Sequence, residues 1–354
     1  MSGVSHLTVR GIKSIASLEP FELGSLNVLI GPNGAGKSNL LDLFRMFRAM
    51  AIERLRLFVA KEDGAETLLH RGRKHTAEME IELAFPELTY RVGMKAAGQD
   101  LVLTHEETSL GWVGNGHYES DLAVVERTDS DPFARLLREA MSEWRVYHFH
   151  NTSINTGMRQ AQPVRDNLKL HADGSNLAPF LRHISERHPA DYRRILHTVR
   201  LAAPFIEDFL YREEPGERVD LEWLERGVEN GRTFGPRQLS DGTMRFICLA
   251  TLLLQPVHMQ PSTILIDQPE LGIHPAAITI LAELLTAASE ARQVIVATQS
   301  ADLLNEMRPE DVVVTERCDG ASVFRRLDLD QLAEWLSDTS LGDLWMMNTF
   351  GGRP

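Results

Sequence analysis

The sequence predicts an α/β fold around a parallel sheet, and three observations point to it. The apolar run Leu26-Asn27-Val28-Leu29-Ile30 passes into a glycine-rich turn, Gly31-Pro32-Asn33-Gly34-Ala35-Gly36-Lys37-Ser38, and then into a stretch with helical apolar spacing. A second buried run, Ser262 to Ile266, ends in Asp267, and a third, Gln293 to Thr298, ends in Gln299-Ser300. Pro275 to Ala291, between them, reads as a helix, and strands joined by helices are expected to run parallel.

In chain order, Leu7-Thr8-Val9-Arg10 alternates like a strand, Gly11 to Ile15 turns out of it, and a second strand leads on. Strand, glycine-rich turn and helix then form the context in which such a turn holds phosphate. Glycines let backbone N–H groups converge on the β- and γ-phosphates with no Cβ in the way, and the helix N-terminus adds positive potential. Lys37 is expected to reach the phosphates and the Ser38 hydroxyl to hold Mg²⁺. The helix that follows presents Leu40, Leu41, Leu43, Phe44, Phe47 and Met50 on one face.

Glu78 to Leu83, Thr89 to Met94 and Leu101 to Thr108 alternate with turns between them and predict an antiparallel meander. A helix is expected over Asp131 to Glu143, with Phe133, Leu136, Leu137 and Met141 on one side. Trp144 to His150 is strand-like, placing His148 and His150 on one face as hydrogen-bonded structural histidines. From Asp166 to Arg237 the pattern turns helical: Asn176 to His188, Ala190 to Ala203 and Leu221 to Arg226, punctuated by Pro215-Gly216 and Gly231 to Pro236. Gln238 to Thr243 opens another helix, Met244 to Leu254; alone, Ser240-Asp241-Gly242 is a common capping sequence. Asp267, at the C-terminal tip of its strand, stands where a parallel sheet places a metal ligand. Asp311 to Glu316 and Ser322 to Leu327 are expected as edge strands. In the tail, Leu332 to Pro354, residues Trp335, Leu336, Leu341, Leu344 and Trp345 are expected to be mostly core.

A net charge of −13 argues against a protein that coats itself in nucleic acid; any such contact would come from local clusters such as Arg71 to His75 or Arg193-Arg194. No apolar run is long enough to span a bilayer and no secretory h-region opens the chain, so a cytoplasmic protein is expected. Cys248 and Cys318 suit a reducing compartment, each packing as a small apolar residue.

Taken together, Gly31 to Ser38 (Walker A), Leu239-Ser240-Asp241-Gly242 (signature), Ile264 to Pro275 (Walker B and D-loop) and Thr298-Gln299-Ser300 (switch) resemble an ABC-type ATPase of the RecF/SMC/OLD group, in the AAA_21 branch. The resemblance covers nearly the whole chain. It implies an ABC head: a discontinuous nucleotide-binding α/β lobe over 1–150 and 255–330, a helical lobe over 151–254 carrying the signature, and a tail over 331–354. It also implies contacts to ATP from Asn33, Gly34, Ala35, Gly36, Lys37, Ser38 and Asn39, with Mg²⁺ held by Ser38 and Asp267. Lys13 and Ser14 become candidates for the adenine side, Lys13 equally well an exposed turn lysine. Gln160 and Gln162 are the glutamines available for a Q-loop. Two copies are expected head to tail around two ATP molecules, each nucleotide meeting Walker A of one chain and Ser240, Asp241 and Gly242 of the other.

Two residues depart from the family pattern. Gln268 stands where a glutamate usually accepts the proton of the attacking water; glutamine can orient that water but cannot take its proton. Gln268 is either an engineered hydrolysis trap, which the intact neighbouring motifs favour, or the mark of a natural slow ATPase. Gln299 stands where transport ATPases carry histidine, and can sense the γ-phosphate by hydrogen bonding without becoming charged. The expected function is an ATP-driven switch in DNA repair or anti-phage defence. OLD-type relatives carry a nuclease after the ATPase; no acidic constellation follows here, so a separately encoded effector or nuclease is expected. A transporter subunit fits less well, since Lys37 and Ser240 lie 203 residues apart and Asp241 replaces glycine. An SMC clamp would need a long coiled coil. A pseudo-ATPase scaffold remains open.

Overall fold

The computed structural model describes residues 3–109, 113–118 by backbone alone, 132–228, 232–328, 330, 332, 335 and 338–353. Asp131, Gly231, Leu336 and Pro354, named above, lie outside the described residues. The chain forms two compact units: Met1–Val146, Pro261–Leu265 and Arg292–Pro354 make the first, and Tyr147–Gln260 with Ile266–Ala291 the second.

The first unit opens on a hairpin, β1 (His6–Ile12) and β2 (Ile15–Glu22), whose turn places Gly11 at φ +78° and Lys13 at +47°. Every side chain of β3 (Leu26–Ile30) is buried, as a strand covered on both faces requires. α1 (Lys37–Ala51) buries the face that the spacing predicts. After α2 (Leu55–Lys61) and α3 (Ala65–Leu68) comes the expected meander: β4 (Met79–Ala84), β5 (Thr89–Ala97) and β6 (Asp100–Thr108), with β7 (Val113–Tyr118) beyond. Together with the first hairpin they make an antiparallel sheet ordered β2-β1-β4-β5-β6-β7. α4 (Pro132–Glu143) buries Ala134, Leu137, Ala140 and Met141. Phe133 and Leu136, expected on that face, are exposed: the buried stripe lies one position further round, on Ala134, Leu137, Ala140 and Met141, in a helix packed against α1. Trp144 fills the space beside it, edge-on to Phe44 at 5.0 Å and to Phe47 at 6.0 Å.

Past β8 (Val146–Tyr147) the expected strand stops early; the His148 amide donates to Ala172 O at 2.9 Å instead of extending a ladder. The second unit holds β9 (Gln162–Pro163), α5 (Leu177–Arg187) and α6 (Pro189–Ala202), followed by β10 (Ile206–Glu214), β11 (Arg218–Glu225) and β12 (Thr233–Phe234). The helix expected at Leu221 to Arg226 is therefore a strand. Val219, Leu221 and Trp223 alternate inward on one face of the sheet, and this period-two burial with ladder pairing to β10 outweighs the charged residues that suggested a helix. α7 (Asp241–Leu254) follows, and α8 (Pro275–Ser289) packs against both α7 and α6. Between those two helices runs β13 (Thr263–Asp267), whose first three residues belong to the first unit.

The first unit resumes with β14 (Gln293–Thr298), α9 (Ala301–Asn305), β15 (Val312–Cys318), β16 (Ala321–Arg326) and α10 (Leu341–Met346). Its second sheet is ordered β16-β15-β3-β14-β13-β8. β14 and β15 both run parallel to β3, and β16 is antiparallel. Of the two strands expected at the edge only β16 is there; β15 sits between it and β3. In the tail Leu341, Leu344 and Trp345 are buried as expected, and so is Leu332, whereas Trp335 is exposed. Cys248 is buried, but Cys318 is exposed at the end of β15 rather than packed as an apolar residue.

Candidate nucleotide-binding site

In the first unit the glycine-rich turn leaves the C-terminal end of β3 and its last glycine caps α1. The three glycines are needed for different reasons. Gly34 has φ +76° and a side chain there would face open space, so its requirement is conformational. Gly36, at φ +113°, is conformational and steric at once: a Cβ would collide with the Ser322 hydroxyl and press on that of Ser14. A Cβ on Gly31 would strike Thr315 O. Lys37 is buried, its ammonium donating to Gly31 O and, at 2.9 Å, to Pro32 O. The lysine is thus folded along the inside of its own loop, and Asn33, Gly34 and Ser38 stay exposed.

Beneath the loop lies a buried polar chain that sequence patterning does not reveal. Asn39 Nδ2 donates to Ser14 Oγ at 2.6 Å, Ser14 and Ser322 hydroxyls are 2.6 Å apart, and Ser322 Oγ lies 2.5 Å from Ala35 O. With one proton per hydroxyl, every group is satisfied when the chain runs from Asn39 through Ser14 and Ser322 to the Ala35 carbonyl. Ser322 comes from β16, 308 residues from Ser14, so no local signal could have found it. Lys13, beside Ser14, points its ammonium at Asp42 and Glu62, 2.6 Å from each. Gln299, at the tip of β14 beside β3, donates to Asn33 Oδ1 at 2.6 Å, which joins switch and Walker A.

The second unit carries the other motifs. Asp267 ends β13; Gln268 follows at φ +49°, a left-handed backbone that costs a non-glycine residue roughly 1–2 kcal/mol. His150 Nε2 donates to Asp267 O at 3.0 Å. Of the two candidate glutamines, Gln162 turns its amide back to Gly157 O and Gln160 O. His148 donates to Ala172 O, so both histidines are hydrogen-bonded. Ser240 caps α7, its hydroxyl accepting from Thr243 N at 3.1 Å. A Cβ on Gly242 would collide with Gly272 O, and Arg245 donates to Leu271 O, Phe149 O and His150 O. The signature helix is thereby seated on the D-loop. Arg159, almost wholly buried, bonds Thr152 O, Pro236 O, Leu239 O and the Asp241 carboxylate. Among the described residues no cluster of three or more His, Cys, Asp or Glu is arranged to hold a metal by itself.

A triphosphate fits the loop's chemistry: a glycine facing open space, two glycines whose Cβ the packing forbids, and a buried lysine at a helix N-terminus. Mg²⁺ bound to a nucleotide takes hard oxygen donors from the protein and the phosphates, a donor type that the exposed Ser38 hydroxyl at the start of α1 supplies.

Fold and motifs define a P-loop ATPase of the ABC type. The chain matches the model of the family AAA_21, described as "AAA domain, putative AbiEii toxin, Type IV TA system", over residues 26–85 and 115–305. It belongs to that family. Among solved structures it is similar to an SMC head bound to the C-terminal winged-helix domain of ScpA, at 14% identity and a TM-score of 0.63, with 94% of this chain and 99% of that one covered. It is also similar to the SMC head domain from Thermotoga maritima (14%, TM-score 0.51, 93% and 100% covered). An SMC head with an extended coiled coil, bound to a ScpA domain from Pyrococcus furiosus, gives 15%, 0.54, 96% and 99%. At such identities the likeness concerns the fold. No curated protein matches the chain.

Proposed function

We propose that this ATPase works as an ATP-gated dimer in genome defence or DNA repair. Two copies close head to tail around two ATP–Mg²⁺, and the closed form signals to a separately encoded effector. The observation that carries this reading is the exposed N-terminus of the 14-residue α7, capped by Ser240 and seated on the D-loop. An exposed helix N-terminus favours an anion, and a second copy's γ-phosphate is the anion that the family pattern supplies. ATP bound across a dimer stabilises that dimer by linkage. The family's description as a Type IV toxin–antitoxin toxin supports defence over housekeeping repair. That similar heads are bound to ScpA domains supports a protein effector.

Within the proposed site, Lys37 and the loop amides hold phosphates, Ser38 and Asp267 take the magnesium ion, Gln299 senses the γ-phosphate, and Gln268 orients water without removing its proton. Hydrolysis is therefore slow. The particle's mass, measured by light scattering with and without ATP–Mg²⁺, tests the reading: doubling with ATP is expected, and a monomer in saturating ATP–Mg²⁺ would sink it. A second reading, a scaffold in which ATP is structural glue, is favoured by Gln268 alone. The two part on whether Gln268→Glu restores turnover.

A further inference from the structure

Arg159 is 3% exposed, and a guanidinium keeps its charge when buried. A buried cation must be compensated by dipoles and opposite charge. Here Nε donates to Thr152 O at 2.7 Å, Nη1 to Pro236 O and to Leu239 O at 2.9 Å, and Nη2 to Asp241 Oδ1 at 2.8 Å. The two proline-side and leucine-side carbonyls flank the short turn that leads into Ser240, so one side chain fixes both its ends. The Asp241 carboxylate is 64% exposed and could be solvated by water without any partner.

The pairing also resolves an electrostatic conflict. Asp241 is the first residue of α7, and its negative charge lies at the helix end that would face a triphosphate. An unpaired carboxylate there repels the phosphate, and one held by a buried guanidinium repels it less. We propose that Arg159 and Asp241 are a positioning pair that shapes the Ser240 turn and offsets the charge of Asp241, so that a second copy's nucleotide can dock. The proposal rests on the two-copy reading above. It also explains why aspartate can occupy a signature position where transporters favour glycine. Neither residue need touch the nucleotide.

The test uses the full chain. The ribose-labelled analogue mant-ATP, at protein concentrations too low for dimers, reads P-loop binding; sedimentation in ATP–Mg²⁺ reads dimerisation. Arg159→Met keeps the side chain's volume. It is expected to bind mant-ATP like the unaltered chain yet to need about tenfold or more protein to dimerise, since the turn's carbonyls lose their buried donor and the Asp241 carboxylate its counter-charge. Adding Asp241→Asn to Arg159→Met removes the stranded carboxylate and is expected to recover part of that loss, which a purely structural arginine would not permit. Dimerisation of Arg159→Met at the unaltered midpoint overturns the proposal, as does a double variant no better than the single. Should the methionine form fail to fold, Arg159→Lys keeps the charge without the fork, and an unchanged midpoint there overturns it equally. If the unaltered chain itself never dimerises, the two-copy reading has failed; if only the variants behave like the parent, the pair alone has failed.

Discussion

Gln268 concentrates two costs on one residue: a left-handed backbone at φ +49° and a side chain that cannot take a proton. Glutamate has the same shape and would meet the same backbone. Gln268→Glu is expected to raise phosphate release by roughly 10²–10⁴-fold, the contribution of a positioned general base, with little change in stability. A steady-state assay giving no increase would remove Gln268 from the catalytic set. Gly36 makes the opposite case, since its need is steric. Gly36→Ala forces a Cβ against Ser322 and Ser14 at a φ that alanine disfavours. Because Ser322 anchors Ala35, the damage reaches the loop itself, and mant-ATP titration should find binding reduced by about tenfold or more for a loss exceeding ~1.4 kcal/mol.

Strands and helices owe their identity to which faces their partners bury. β11 holds Val219, Leu221 and Trp223 against the rest of its unit, and Leu221 is 1% exposed. Leu221→Ala should cost about 2–5 kcal/mol in urea-induced unfolding, whereas the same change in an exposed helix would cost little. Helices α5 and α6 meet at a cluster in which the His183 and His188 rings are 6.1 Å apart and those of His188 and His258 5.2 Å. Burial, then the neighbouring His188 and Arg187, hold His183 below the usual imidazole value. Unfolding therefore binds a proton between the lowered folded value and the ordinary one near ~6.5. Stability from this group is present above that range and fades as the pH falls through it. Thermal unfolding should occur at lower temperature at pH 5.5 than at pH 7.5, and His183→Gln should flatten the difference.

For the molecule as a whole, the decisive question is whether nucleotide binding and association are linked. ATP binding to a single chain at 100 times its dissociation constant raises stability by about 2.7 kcal/mol, whatever the protein concentration. If ATP is shared between two copies, the ATP-induced rise in melting temperature must grow with protein concentration. Scanning calorimetry across a hundredfold dilution checks this, and a constant shift would contradict the shared site. No helix among the described residues is long and apolar enough to cross a membrane. The basic clusters are partly spent on local ion pairs, Arg73 with Glu66 and Arg194 with Asp191, leaving less positive charge for nucleic acid.

The order of strand, glycine turn and helix, the aspartate at the tip of an apolar strand, and the antiparallel meander were all legible in the chain, because they depend on residues near one another and on burial periods of two or 3.6. Leu221 to Arg226 was misread as helix, since its charges mask an alternation that only pairing with β10 makes consequential. The placement of Phe133 and Leu136 depended on which side of α4 packs against α1. The supports of the motifs lay further out of reach: Ser322 bonded to Ser14 beneath the glycine turn, Arg159 under Asp241, and Arg245 joining α7 to Leu271 act across 26 to 308 residues. Sequence alone determined the class, a P-loop ATPase, because a phosphate-binding turn demands those residue types at that spacing. Only the tertiary structure decided what holds them in place, because buried polar groups take whatever partners the packing brings within 3 Å.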